Sequence, residues 1–530
     1  VPGVLLVSDN TDSIIGSTGV VSISAYFSET LSTTPTLSIS GLVSTVMSKF
    51  SRTPINQIGQ LINDGAGGKL GWTSDISESG NRIIVGAPYG STSFARVYQW
   101  NGKQWEQLGN EITGTSNNQL GRPVGISGDG SVIVVGEKVS TTNNFIYKIY
   151  TLSGSSWTLR ETINDDNVGV SVFPESGSVD LSYDGSIFAF SHALNDANRR
   201  GQARIFEWDN SESEYTPMGS DILGDADDAM LGSGNKGISL TKDGKRIVVG
   251  LRTHENSYYG KVRVYDWDGF AWTQVGGDIT DSAGTTLSLG TSVSISNDGQ
   301  TIIAGAPDNT DVSVTPGKVL IFSYQLISGT ASWTYKASIA GSNTQDYFGY
   351  SSSINGNGDK IIVGAYNANS MTGYARLYKW DGTTASQIGS DIVGDTNGDA
   401  FGGHVELSAN GIAIIGAPFS DSGGSNSGQV KVIGTDRYEY SWDVDKGGAP
   451  SDGTYYATVA GADKAGNAYS GTESITFTLD TTAPTVTLTD TDSDNLVSTS
   501  EVVTITAGFS ETMTATPTIS ITGIVTNVIM

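Results

Sequence analysis

Between residues 289 and 307, Val293 and Ile295 alternate with serines, Asn297-Asp298-Gly299 interrupts, and Ile302-Ile303-Ala304 then runs apolar without a break. Alternation predicts a strand with one packed face, the continuous run predicts a strand buried on both faces, and the interruption supplies the positive-φ turn of a tight hairpin. The pattern recurs with its turn glycine at Gly80, Gly130, Gly185, Gly244, Gly299, Gly358 and Gly411, at spacings of 50, 55, 59, 55, 59 and 53 residues. Each hairpin is followed by an alternating strand that mostly ends in an aromatic residue, at 95–100, 145–150, 203–208, 262–267, 319–324 and 375–380, and then by a fourth strand such as 104–109 or 271–276. Four antiparallel strands per unit at this period predict a propeller blade, because its sheet faces are buried only by stacking on neighbours around a ring.

The seventh unit has its hairpin (403–418) and third strand (428–434) but no fourth, whereas INQIGQLIN at 55–63 matches SQIGSDIVG at 386–394. The N-terminal strand is therefore expected to complete the last blade, which closes the ring without a free edge.

The flanks follow a different pattern. Val20, Ile23, Ala25 and Phe27 predict one strand and Leu37 with Ile39 another, and this stretch returns at a constant offset of 482 residues: Pro2 matches Pro484, Asp12 matches Asp494, 27–30 (FSET) matches 509–512, Pro35 matches Pro517 and Gly41 matches Gly523. About 20 of 48 positions agree. Residues 436–482 add alternating Tyr438, Tyr440 and Trp442, a turn at Ser451-Asp452-Gly453, and strands around 455–459 and 475–479. Neither piece alone can bury two sheet faces; together they reach the size of an immunoglobulin-like sandwich, about 95 residues. The expectation is an all-β chain: a seven-bladed β-propeller (49–435) inserted into an Ig-like sandwich (1–48 and 436–482), followed by the first half of the next sandwich (483–530). That last half would expose sheet edges and an apolar face unless something completes it.

Composition sharpens this reading. Glycine at 68 of 530 residues, with abundant Ser and Thr and no long amphipathic helical period, agrees with an all-β chain. A net charge of −26 disfavours nucleic acid and anionic membranes as partners and suits a soluble surface or cation binding. With no cysteine there is no disulfide framework, thiolate metal site or cysteine nucleophile. No apolar run reaches transmembrane length and no signal peptide is visible, which says nothing about targeting signals outside these residues.

The stretch SWDVDKGGAPSDGTYYATVAGADKAGNAYSGTESITFTLDTTAPTV, with FSET ahead of it, resembles the bacterial Ig-like repeats of large marine surface adhesins. The hairpins, with Phe348-Gly349 or Leu289-Gly290 ahead and Gly305-Ala306-Pro307 or Gly416-Ala417-Pro418 behind, are similar to the FG-GAP repeats of integrin-α-type propellers. The two resemblances imply extracellular placement at a cell surface or in a surface filament. FG-GAP blades that bind calcium carry an Asp-rich loop in this hairpin; here it has shrunk to Asn297-Asp298-Gly299 or Ser79-Gly80, too short to encircle a cation.

Candidate calcium ligands lie elsewhere. Asp225, Asp227 and Asp228, and the Asp-x-Asn-x-Asp set Asp395, Asn397 and Asp399, stand in loops that lead from an outer strand to the next inner strand; the alternative is a solvated acidic rim. Asp480, Asp490, Asp492 and Asp494 surround Ala483-Pro484, with Asp463 and Asn467 in a neighbouring loop; calcium there would stiffen the joint, and ordinary Asp-rich turns are the alternative. His192, His254 and His404 are the only histidines and none has metal-ligand or nucleophile spacing, so no catalytic residue is assigned and no cofactor is required. Trp100, Trp208, Trp267 and Trp380 recur at one blade position, which predicts packing between blades rather than a sugar platform.

The expected function is that of a structural repeat in a surface fibre or adhesin, whose partners are neighbouring copies of the same repeat joined by β-sheet completion. The runner-up is an adhesin whose acidic propeller face binds a glycan or surface protein through calcium. A polysaccharide-active enzyme is third.

Overall fold

The computed structural model describes residues 55–434 apart from 66, 102–103, 116–117, 141–143, 166–176, 194–198, 235, 254–258, 282–287 and 308–315. Outside that range it describes 4–8, 14–15, 20–27, 35–39, 43–46, 48–49, 437–443, 452–460, 474–480, 482–494, 496, 502–510, 517–522 and 525–529. The chain falls into two compact units, one of Val1–Thr11, Ser22–Tyr440 and Ala457–Ile475, the other of Asp12–Val21, Ser441–Tyr456 and Thr476–Met530. Among the described residues, apart from one tight turn at Ala368–Met371 whose Asn369, Ser370 and Met371 have left-handed backbone, the regular structure is all strand.

The first unit contains a β-propeller. Its sheets begin with the inner strands Thr73–Ile76, Gln119–Ile126, Val179–Leu181, Ile238–Leu240, Ser292–Ile295, Ser351–Ile354 and His404–Leu407, and are called the first to seventh sheets in that order. Each inner strand pairs antiparallel with the apolar strand after the turn, and that strand with the third. In the fifth sheet Ser292 to Ile295 stand opposite Gly305 to Ile302, and Thr301 to Ala306 opposite Ser323 to Lys318.

The turns close as the sequence requires, with one refinement. All seven turn glycines have φ between 66° and 79°, and among the described residues Asn297 and Asp298 do not share that conformation. Gly299 N–H donates to the Ser296 carbonyl at 2.8 Å, while the Asp298 carboxylate accepts from Ser296 Oγ at 2.6 Å and Gln300 N–H at 2.9 Å. Asp129, Asp184 and Asp243 act alike in their own turns. Only glycine takes the left-handed position cheaply, and the aspartate satisfies the turn's polar groups.

Apolar clusters fill every gap between neighbouring sheets. Ile84, Val97, Ile126 and Ile133 lie between the first and second; Ile362, Leu377, Val405 and Ile415 between the sixth and seventh. Ile412, Ile414 and Val432 of the seventh sheet pack on Ile76, Ile83 and Val85 of the first, so the ring is closed. Residues 56–57 and 62–63 supply the outer strand there, with Gln57 opposite Ile433 and Ile62 opposite Val430. Each buried Ile or Val contributes roughly 1.5–3 kcal/mol, and closure spares two sheet faces from water.

Two further devices join the sheets. Indole N–H groups reach back to the preceding sheet's outer strand, Trp105 to Ile58 O at 3.0 Å, Trp157 to Leu108 O at 2.9 Å, Trp272 to Met218 O at 2.7 Å and Trp333 to Val275 O at 3.1 Å. Trp100 and Trp380 are 6% and 4% exposed, buried at the gaps rather than offered as a platform. The second device is glycine: a Cβ on Gly305 would stand 2.0 Å from Gly349 O, and one on Gly416 would stand 2.2 Å from Gly71 O. The Φ-Gly and Gly-Ala-Pro ends of the repeat are thus the places where adjacent sheets touch backbone to backbone.

The flanking residues of the first unit form their own strands. Val4–Ser8 pairs antiparallel with residues 23–27, and Thr36–Ile39 pairs on one side with Val43–Val46 and on the other with residues 457–460, Leu37 opposite Val459. Chain from before the propeller and chain from after it therefore share a sheet. In the second unit, Val486–Asp490 pairs with Ile505–Phe509, and Thr518–Ile521 with Val525–Ile529.

Candidate functional site

The seven inner strands line an axial channel, and one position on them collects most of its charge. Two residues before the turn serine or its equivalent, the sheets carry Asp75, Gly125, Asp180, Ser239, Ser294, Ser353 and Glu406 in order. Five of these side chains stitch their sheet to the next: Asp75 accepts Ile126 N–H at 2.8 Å, Asp180 accepts Leu240 N–H at 2.8 Å, Ser239 accepts Ile295 N–H at 3.4 Å, and Ser294 and Ser353 accept Ile354 and Leu407 N–H at 3.2 and 3.3 Å. Serine does this without charge, so the three carboxylates bring more than the stitching needs.

Their counterpart is Lys236, at the start of the fourth sheet, whose Nζ lies 2.5 Å from Glu406 Oε2 across the ring. Burial works against its ammonium, but Glu406, Asp180 and Asp75 outweigh burial and hold its pKa above the ordinary lysine value. Burial raises Asp75 well above the carboxylate range, with the charges of Glu406 and Asp180 adding to the effect, and burial raises Asp180 too, against the pull of Lys236. One cation cannot fully offset three buried carboxylates, and burial raises both Asp75 and Asp180.

His404 lies beside this group, 6% exposed, with Nδ1 3.2 Å from Ser74 Oγ. Burial and the Lys236 charge push its imidazole down to about 3, so it is neutral at physiological pH and a weak base. Ser74 is 1% exposed. The pair has the composition of a nucleophile and base, without the basicity or access that covalent catalysis needs. His192 is buried edge-on to Phe145, ring centroids 4.9 Å apart, and His254 lies outside the described residues.

At the turn end the channel is crossed again. Lys242 Nζ of the fourth sheet reaches both Glu78 oxygens of the first, at 2.8 and 3.1 Å, and Asn297 Nδ2 of the fifth donates to the same carboxylate. Between the two crossings is a cavity of about 110 Å³, with a second of about 20 Å³ beside His404. This is space for a small group of waters, not for a sugar ring.

The acidic loops named from the sequence resolve into ion pairs. Asp225 and Asp278 together hold Lys261 and Arg263, at 2.5–3.0 Å. Burial alone would raise Asp225, but hydrogen bonds from Lys261 and Arg263 reverse that and lower it. Asp228 pairs with Arg199 at 3.3 Å, and Asp227 is exposed. Asp395 accepts from Gln429 at 2.9 Å and pairs with Lys431 at 3.3 Å; Asn397 accepts from Thr372 Oγ1 at 2.7 Å; Asp399 is 2% exposed and caps Thr396 through N–H and Oγ1 at 3.0 and 2.6 Å. Asp395, Asn397 and Asp399 are thus engaged by different partners.

In the second unit Asp490, Asp492 and Asp494 form successive turns, each accepting the N–H two residues on at 3.0–3.1 Å, and Asp480 accepts Thr482 N–H at 3.1 Å. Asp463 and Asn467 lie outside the described residues. Among the described residues no three His, Cys, Asp or Glu side chains gather in a way that could hold a metal ion.

Sequence reasoning passed over Asp75, Asp180, Lys236 and Glu406. The available signal was a charge at an inner-strand position where other repeats carry serine or glycine.

No family model matches the chain and no curated protein does, so the two resemblances rest on the residues quoted for them. Solved structures similar to part of it include a protein from Lactobacillus plantarum (13% identity, TM-score 0.44, covering 74% of this chain and 97% of that one). The Dos1 propeller is 10% identical with a TM-score of 0.41, covering 72% and 95%. The β-propeller domain of the trilobed protease from Pyrococcus furiosus is also 10% identical, with a TM-score of 0.32, covering 67% and 95%.

Proposed function

We propose that this chain is a structural repeat of an extracellular surface fibre or adhesin: a seven-bladed propeller inserted into a split Ig-like sandwich, with assembly through completion of the second sandwich. The observation that carries this reading is the state of residues 483–530. Their first hairpin sets Val486 opposite Phe509 and Asp490 opposite Ile505, the register of Val4 with Phe27 and Ser8 with Ile23 shifted by the repeat offset. Yet Val486, Leu488, Leu496 and Val502 are 51%, 58%, 75% and 86% exposed. Among the described residues each hairpin is a two-stranded sheet, a form only marginally stable in water. Residues equivalent to 436–482, from a following repeat or another copy, are the natural complement, since their counterparts already pair with 36–39 in the first sandwich.

In this reading the axial charges serve the ring. Lys236–Glu406 and Lys242–Glu78 tie opposite sides of the propeller together, and no chemical step is assigned to them. Electron microscopy of native material tests the proposal. Fibres with one propeller per repeat and continuous density through the second sandwich are expected; isolated monomers in native material would overturn it.

A further inference from the structure

The opening half of a sandwich occurs twice in residues 1–530, at 1–48 and at 483–530, and the closing half once, at 436–482. In the fold the closing half is engaged by the first of them. Thr36–Ile39 pairs with residues 457–460, Ile14 and Ile15 pair with Thr478 and Leu479, and Ser48 stands opposite Glu439. Two opening halves therefore face one closing half, and completing the second sandwich from another copy means taking the place of that copy's residues 1–48.

The side chains permit the substitution. Ile23, Ala25, Leu37 and Ile39 are buried in the first half, and the offset of 482 puts Ile505, Ala507, Ile519 and Ile521 at the same positions. Three of the four are identical and the fourth changes leucine to isoleucine, a volume-conserving swap of the kind a core tolerates best. The outward positions match as well, Thr36 with Thr518 and Ser38 with Ser520, all four exposed. Exchange breaks and remakes the same pairings, and it covers as much apolar surface as it uncovers. What favours the first half is its tether. The ring closes with Asn56 opposite Gly434, so the chain enters and leaves the propeller side by side. A short tether holds its segment at an effective concentration of roughly millimolar order, above what a half from another copy reaches in dilute solution.

We propose that residues 1–48 are a tethered cap on 436–482, and that residues 483–530 of a second copy displace this cap and take its place, with Ile519 opposite Val459 and Ser520 opposite Thr458, so that copies join by exchange of sandwich halves. A second copy is the occupant because its closing half already accepts this register and these side chains from its own residues 36–39. Exchange rests on the fibre reading for its purpose. Loosening 1–48 is then the step that releases assembly, since it leaves each chain with one free opening half and one open complement.

The test uses full chains that each carry one cysteine in an otherwise cysteine-free sequence. A Ser520→Cys chain is mixed with a Thr458→Cys chain under mild oxidation, and disulfides between the two substituted positions are measured by peptide mass spectrometry; directly opposite strand residues stand within reach of one another. The mixed disulfide should form slowly, and at least about tenfold faster when the Thr458→Cys chain also carries Leu37→Asp. Ile519→Asp on the Ser520→Cys chain should slow it by at least about tenfold. Leu37→Ala should accelerate it too, and decides the matter if the aspartate variant fails to fold. Absence of the mixed disulfide with both Leu37 variants, a rate indifferent to Leu37, or a rate indifferent to Ile519 would each overturn the proposal. Native fibres without the mixed disulfide would overturn exchange and leave the fibre reading standing on another contact. The mixed disulfide without native fibres would support exchange and remove the fibre reading.

Discussion

Residues 1–48 and 483–530 are two copies of one segment in two different states. In the first copy Ile23, Ala25 and Leu37 are fully buried and Ile39 is 2% exposed; their counterparts Ile505, Ala507, Ile519 and Ile521 are only half-buried. The hairpins nonetheless form with nearly the same pairing, Ile39 opposite Val43 and Ile521 opposite Val525, with a one-residue slip toward the end of the second. Strand pairing is therefore local to the segment, and burial is supplied from elsewhere in sequence. The first copy has residues 457–460 beside it, and among the described residues the second has no such neighbour.

The sharpest way to break this comparison is to place a charge at matched positions. Leu37→Asp buries an uncompensated carboxylate and should cost about 3–5 kcal/mol, whereas Ile519→Asp should cost less than about 1 kcal/mol in the isolated chain. Denaturant midpoints would show it, and equal losses would mean that the second copy is already covered.

Acid should separate the regions next. A histidine whose folded pKa is depressed binds fewer protons in the native state, so its contribution is present above the unfolded value near 6.5 and is lost as pH falls toward about 3. At roughly 1.4 kcal/mol per unit, His404 should cost the propeller a few kcal/mol over that range, partly offset by Asp75 and Asp180, whose raised pKa values favour the folded state at low pH. Residues 483–530 contain no histidine. Thermal melts of wild type and His404→Gln at pH 4 and 7 should show a smaller acid loss in the variant.

Supplying the missing complement sharpens the comparison directly. Appending a copy of 436–482 after Met530 should slow amide exchange at 505–509 at least about tenfold and suppress fibre formation. Unchanged exchange with undiminished fibres would point to a different assembly contact. The smallest expected effect is that of Val486→Ser with Leu488→Ser, which should shift monomer stability by less than about 0.5 kcal/mol. The same pair should reduce assembly measurably by light scattering, and unimpaired assembly would remove this face from the interface.

The repeat itself determined much of this protein. Gly299 and its six equivalents announced the turns because a left-handed backbone position tolerates little else, and the Φ-Gly and Gly-Ala-Pro pairs marked the contacts between sheets because a Cβ there would overlap a carbonyl. The match of 55–63 to 386–394 pointed to ring closure, since an unpaired outer edge is costly and the missing strand had to come from somewhere. Local pattern carries such information because hydrogen-bond register and steric fit act over a few residues.

Only the tertiary structure decided which charges meet. Ser74 and His404 are 330 residues apart, and Lys236 is 170 from Glu406. Neither pair exists until the ring has closed, because curvature summed over seven sheets brings their inner strands to one axis. The same holds for Asp225 and Asp395, which in sequence were acidic loops open to calcium and in the fold are held by Lys261, Arg263, Gln429 and Lys431 from strands that run beside them. Electrostatic partners depend on distances through space and on burial, which a linear pattern does not encode.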